Sequence, residues 1–380
     1  MGLGVAWRLA AAGRAVVVLE KNAPGSGASR AAAGMLAPIA ELEFDEHELL
    51  AFALRSQERW PSFVAELEAA AGSSVEFETT GTLLVAWDRD EAEELERQYE
   101  YQRELGLAVE WLSGRGLRRL EPMLSPRLVG GVHCPQDFQV SNRRLVDALL
   151  AAALRAGVTL RTGVEVERLL SDDSGVVGVR TTEGEELRAA LTIVAGGAWS
   201  RTLAIDGEVV LPVRPVKGQM LALQMDPSSP LVQHVIRRHG EGIYLVPKRD
   251  ATLVIGATSE ERGFDTRLTA FGMRRILDGA FEVLPGVDEL PIKEMWTGFR
   301  PASRDGAPLL GRSGVAGLAV ITGHYRNGVQ QSPLSIDAVV ADILEGALPE
   351  VARPFRATRF APEREAHHDW RGGSEDGRSD

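Results

Sequence analysis

Residues 1–21 read MGLGVAWRLAAAGRAVVVLEK, and the reading of this stretch decides the fold. A helix of small residues from Val5 to Ala12 stops at Gly13. A β-branched run from Ala15 to Leu19 follows, and Glu20 closes it. That order is the second half of a dinucleotide-binding βαβ unit. Gly2, Gly4, Ala6, Ala10 and Ala11 keep the helix slim enough to pack close to a sheet and to a pyrophosphate. If Gly2 is the last glycine of a G-x-G-x-x-G turn, Glu20 stands where a carboxylate accepts the hydroxyls of an adenosine ribose. A strand-end glutamate also reads, on its own, as a solvated surface charge. The buried strand and G-x-G turn that open such a unit are missing here. We therefore expect the authentic start to lie upstream of Met1, and this form to fold poorly or to bind its nucleotide weakly.

The composition is that of an ordinary globular protein: 380 residues, 44% apolar and 25% charged. This length predicts two domains. A net charge of −12 argues against nucleic-acid binding, which needs a basic face to neutralise phosphates. The single cysteine, Cys134, excludes an intramolecular disulfide and a Cys-based zinc cluster, so a reducing, cytoplasmic setting is expected. No apolar run approaches the roughly 18 residues that cross a bilayer. The opening is not expected to be a targeting segment, because its helix carries Arg8 among alanines and leads straight into a strand.

Outward from the opening, "PGSGASRAAAGMLAP" (24–38) has too few large side chains for a core element. Its Ser29 and Arg30 suit a phosphate, while Met35, Leu36 and Pro38 need burial, for which a flat ligand would serve. A flexible surface loop is the plain alternative. The spacing of Leu49, Leu50, Ala53, Leu54, Trp60, Phe63, Val64 and Leu67 predicts a helix from Glu46 to Ala71. "SVEFETTGTLLVAW" alternates like paired strands, and residues 90–105 read as a charged, solvent-facing helix. Ser141 or Asn142 caps a helix that stops at Gly157. "LTIVAGGAWS" is a buried strand with a glycine turn. Residues from about Leu211 to Trp296 are strand-rich, with a helix near Thr269 to Leu284. "GLAVITGHYRNGVQQSPLSIDAVVADILEG" is a strand, a polar loop and a closing helix. The tail after Phe360 is expected to be disordered, and its His367 and His368 to bind metal only adventitiously.

Eight stretches together carry a family likeness: "AWRLAAAGRAVVVLEK", "GASRAAAGMLAP", "VSNRRLVDALLAAA", "VAGGAWS", "PVRPVKGQMLAL", "YLVPKRDATLVIGATSEERGFDTRLTA", "GFRPASRDGAPLLG" and "TGHYRNGVQQSP". The chain resembles the FAD-dependent D-amino-acid oxidase superfamily and, within it, the glycine oxidases of thiamine biosynthesis, over residues 3 to about 333. The resemblance implies an α/β fold in which a Rossmann-like FAD-binding domain (1–80, 137–210 and 298–356) is interleaved with an antiparallel-sheet substrate domain (81–136 and 211–297).

For individual positions, the resemblance implies that Glu20 holds the adenosine ribose of a non-covalent FAD with Lys21 beside it, and that Gly2 is the third glycine of the fingerprint that serves its pyrophosphate. Ala28, Ser29, Gly34, Met35 and Leu36 would line the pyrophosphate and flavin, and Val166 would meet the adenine through its backbone. Gly323, His324, Tyr325, Arg326, Asn327, Gly328 and Val329 would wrap the pyrimidine end of the flavin ring. Arg300 would clamp the substrate carboxylate and Tyr244 would add a hydroxyl, with Arg326 near the entrance as a secondary charge. A guanidinium suits the clamp because its planar fork binds a carboxylate through two hydrogen bonds. Read without the family, Arg300 is a salt-bridge residue and Tyr244 a core residue. Two positions depart from the family pattern: Gly242 stands where a histidine occurs, and Ser259 where a methionine lines the pocket.

The implied reaction is oxidation of glycine, with sarcosine and small D-amino acids as further candidates, to an imine that hydrolyses to glyoxylate or feeds thiazole formation. Oxygen is the second substrate and hydrogen peroxide a product. By analogy a tetramer is expected, with no nucleic acid and no membrane as partner. A D-amino-acid dehydrogenase is the alternative enzyme, and a flavin-poor, non-catalytic form the alternative outside enzymes. Covalent flavin attachment would need a cysteine in the C-terminal flavin segment, and Cys134 lies far upstream of it.

Overall fold

The structure, a computed structural model, describes residues 1–360 apart from 45, 206, 207 and 210. The tail expected to be disordered lies outside the described residues, with His367 and His368. The opening helix spans Gly2–Ala11 and leads into the strand Val17–Glu20, which pairs in parallel with Thr159–Thr162. The strand Thr192–Val194 pairs in parallel with Leu318–Thr322, which pairs antiparallel with Leu309–Arg312. These two small sheets are not hydrogen-bonded to each other.

Helices Gly2–Ala11, His47–Ala71, Asn142–Arg155 and Ser332–Glu345 bury their apolar stripes in one core around Val5, Trp7, Phe52, Trp60, Phe63, Leu149 and Ile336. The helix His47–Ala71 needs no side-chain cap to hold its place. Trp60 Nε1 donates to the carbonyl of Gln330 at 2.8 Å and Ser56 Oγ to the same carbonyl at 2.8 Å, which ties the helix to the segment before Ser332–Glu345.

The second layer is an eight-stranded sheet in the order Ile292–Ala302, Arg214–Gln224, Thr252–Gly256, Tyr244–Pro247, Val235–Arg238, Thr82–Ala86, Gly130–Cys134, Glu110–Ser113. The sheet is antiparallel, as expected, except at one seam, where Val235–Arg238 runs parallel to Thr82–Ala86. This seam joins two separate excursions of the chain. No tight turn links the two strands, so nothing forces them antiparallel.

Side chains alternate across the sheet. Leu221, Leu223, Leu245, Leu253 and Ile255 face the helix Ala270–Val283 and form one core with its Ile276 and Ala280. Met220, Tyr244, Val246 and Val254 gather on the opposite side. Thr269 starts that helix as its cap, accepting the N–H of Gly272 at 3.1 Å. Among the described residues no helix is long and apolar enough to cross a membrane.

Candidate active site

A cavity of about 1470 Å³ lies between the two layers, larger than the roughly 300–1,000 Å³ of an ordinary small-ligand pocket. It runs from Gly2 and the C-terminal end of Val17–Glu20, past the 24–35 segment, to the face of the large sheet. Glu20 stands at its outer end and accepts the N–H of Asn22 at 2.9 Å, while Lys21 pairs with Glu165 at 2.6 Å. Val166 lines the same end.

The glycine-rich segment is an ordered wall rather than a loose loop. Asn142 Nδ2 donates to the carbonyls of Ser29 and Arg30 at 2.8 and 3.1 Å, and Trp296 Nε1 donates to that of Ala31 at 3.0 Å. Ala28, Ser29, Gly34 and Met35 face the cavity. Leu36 does not; it is fully buried in the helical core. Gly34 holds a φ of +83°, and a Cβ there would sit 2.0 Å from the carbonyl oxygen of Val140. That carbonyl also accepts from Lys248 Nζ at 3.1 Å, and burial lowers the Lys248 amine to about 8.

From the other side, the loop after Leu318–Thr322 brings His324, Tyr325, Arg326, Gly328 and Val329 to the cavity. Gly323 does not reach it, and Asn327 lines a separate small hollow beside Pro38 and Leu42. Tyr325 holds a φ of +48° and donates its N–H to the carbonyl of Pro301 at 2.8 Å. His324 is buried against Ser335, Nε2 to Oγ at 3.0 Å, and burial lowers its pKa to about 3, so the ring is neutral. Arg326 differs from the expected secondary charge. Its guanidinium is paired with Glu43 and, at 3.5 Å, with Glu46, so its charge is already compensated.

The sheet supplies the inner end. Tyr244, Met220, Gly218 and Arg300 line it, as do Gly242 and Ser259, the two positions that depart from the family pattern. Arg300 Nη1 donates to the backbone carbonyl of Thr258 at 3.1 Å, and Arg300 has no carboxylate partner among the described residues. The Tyr244 hydroxyl donates to Met220 Sδ at 3.8 Å, and it lines the same end of the cavity as Arg300. Burial pushes that hydroxyl's pKa up, so it stays protonated and able to donate. Gly218 and Gly256 leave room for these two side chains: a Cβ on either would come within 2.7 Å of Arg300 Nη1 or 2.5 Å of the Tyr244 oxygen.

Sequence reasoning missed Asn142 as the anchor of the glycine-rich wall, and it missed Glu41 and Arg237, which also line the inner end. From the sequence alone Asn142 reads only as a possible cap. Glu41 and Arg237 have no local signature that separates them from surface charges.

The site is thus that of a flavin-dependent oxidoreductase. A carboxylate stands at a parallel strand end, small residues line a dinucleotide-sized cleft, and an uncompensated guanidinium sits at the inner wall. The family model described as "FAD dependent oxidoreductase" matches residues 1–341, and the chain belongs to that family, whose cofactor is FAD. The cleft fits that cofactor, since Glu20, the 24–35 segment and the 324–329 loop border one continuous space.

Among its relatives, the bifunctional protein ThiO/ThiG of Trichormus variabilis is 36% identical over 95% of this chain and 54% of its own length. The glycine oxidase of Geobacillus kaustophilus is 36% identical over 91% of this chain and 90% of its own. The crystal structure of the Geobacillus enzyme superposes with a TM-score of 0.87 over 94% of this chain and 95% of that one. The hydrogen cyanide synthase subunit HcnC of Pseudomonas aeruginosa is 34% identical over 82% of this chain and 74% of its own. The chain spans about half the length of the bifunctional relatives it matches.

Proposed function

We propose that the protein oxidises glycine and other small amino acids with FAD and oxygen, releasing hydrogen peroxide and an imine that supplies thiamine thiazole synthesis. The observation that carries this reading is Arg300. A guanidinium in a half-buried pocket with no carboxylate partner among the described residues is costly unless a ligand anion completes it. A substrate carboxylate is the matching anion, bound through two parallel hydrogen bonds. Tyr244 supplies a further donor beside it, and the Thr258 carbonyl keeps the guanidinium plane from rotating. Similarity to glycine oxidases over nine-tenths of both chains supports glycine as the substrate.

FAD, when bound, takes two electrons from the substrate and passes them to oxygen. The protein's own task is binding and orientation: it fixes the carboxylate so that the Cα–H bond points at the flavin wall. His324 is no candidate base, because its neutral ring is buried against Ser335.

The test is oxygen uptake and peroxide release by the flavin-bearing protein with glycine, sarcosine, D-alanine and D-phenylalanine. The highest kcat/KM should fall to glycine or sarcosine. A maximum with D-phenylalanine would overturn the substrate assignment. Flavin reduction without oxygen uptake would point to a dehydrogenase, and cyanide as the carbon product would align the protein with the HcnC relatives.

A further inference from the structure

The inner end of the pocket holds a second guanidinium, and it is not free. Arg237 lies on Val235–Arg238, directly across the antiparallel register from Tyr244. Its Nη1 contacts Glu41 Oε1 at 2.8 Å, and the Arg237 and Glu41 side chains are only 21% and 14% exposed. Glu41 belongs to the opposite wall, in the turn that follows the glycine-rich segment. That turn is held firmly: Asp137 accepts the N–H groups of Ile39 and Ala40 at 3.1 and 3.0 Å, and Glu41 N–H bonds the carbonyl of Ala37 at 3.0 Å. Arg300, Arg237 and Glu41 are the charged groups that act on the Tyr244 hydroxyl, and Arg326 lines the same cavity. Of the three guanidiniums, Arg326 is matched by Glu43 and Glu46, Arg237 by Glu41, and Arg300 by no carboxylate of the described residues.

We propose that Glu41 is a specificity-determining residue: by saturating Arg237 it closes the pocket to substrates that carry a second carboxylate. Two open guanidiniums would make the site a receptor for dicarboxylic amino acids and for amines that carry two carboxymethyl groups. With Arg237 neutralised, a second carboxylate entering there meets Glu41 as a like charge, while an uncharged substituent meets no penalty. Discrimination built from a repulsive element of this kind is a common route to specificity.

This inference rests on the amino-acid oxidase reading above, so its test uses equilibrium binding, which does not depend on turnover. Methoxyacetate and oxydiacetate are unreactive and differ by one carboxylate, and their binding to the flavin-loaded protein is read from the flavin absorbance. The wild type should bind methoxyacetate at least tenfold more tightly. Glu41→Gln should shift the affinity ratio at least tenfold toward oxydiacetate, and the double variant Glu41→Gln/Arg237→Gln should lose that shift.

Should Glu41→Gln lose its flavin, Arg237→Gln alone asks the same question with opposite sign. It leaves Glu41 unpaired and should weaken oxydiacetate further relative to methoxyacetate. A wild type that prefers oxydiacetate, a ratio unmoved by Glu41→Gln, or a shift that persists in the double variant would overturn the proposal. Failure to oxidise glycine, with the ratios behaving as stated, would instead overturn only the reaction assigned above.

Discussion

Arg300 and Thr258 are joined by a hydrogen bond, 3.1 Å long, from the guanidinium Nη1 on the strand Ile292–Ala302 to a backbone carbonyl in the segment after Thr252–Gly256. Because a main-chain group sets the plane of the guanidinium, its fork is aimed before any substrate arrives. Charge alone does not reproduce this. Arg300→Lys should retain FAD but raise KM for glycine about tenfold or more, since an ammonium cannot hold the Thr258 bond and two parallel carboxylate bonds in the same geometry. Steady-state kinetics with the lysine variant checks it; a wild-type KM would show that point charge suffices.

Gly13 and Gly34 have nearly the same φ, +80° and +83°, but opposite surroundings. A Cβ on Gly13 has nothing within 4 Å, whereas on Gly34 it would strike the Val140 carbonyl. Gly13→Ala should therefore cost only the left-handed backbone penalty, about 1–2 kcal/mol. Gly34→Ala should cost more and should also lower flavin occupancy, because Gly34 and Met35 form the cavity wall. Denaturant midpoints and the flavin-to-protein absorbance ratio of the two variants test the contrast.

The Asp137 carboxyl is pushed up to about 8, chiefly by burial, against the opposing pull of the Ile39 and Ala40 N–H groups. A folded-state pKa above the unfolded one means that the native state holds the proton more tightly. The stabilisation is therefore full below the ordinary aspartate value of 3.8 and drains away as pH rises through about 8. Wild-type stability should fall between pH 5 and pH 8 by more than that of Asp137→Asn, which cannot titrate. Parallel slopes for the two proteins in denaturation at these pH values would contradict the assignment.

What the sequence made legible was whatever local chemistry leaves in a pattern. The small-residue helix and β-branched strand ending in Glu20, the apolar stripe of His47–Ala71 and the Thr269 start of the following helix can all be read from spacing. The family likeness pointed to Arg300 and Tyr244, and the structure brings both to one end of one cavity. Long-range relationships were not legible. The Glu41–Arg237 pair joins residues 196 apart in the chain, and Asn142 holds a turn more than 110 residues upstream, so no local spacing encodes either. Leu36 shows the same limit at short range: it sits beside Met35 in a two-residue strand, and the alternation of that strand sends it into the core.

Whether Arg300 anchors the substrate carboxylate is decided by a glycine titration of flavin-loaded Arg300→Ala against wild type. Loss of a charge-assisted contact worth about 1.5–3 kcal/mol predicts a roughly 10- to 150-fold rise in KM with FAD still bound. An unchanged KM in a variant that keeps its flavin would contradict the account.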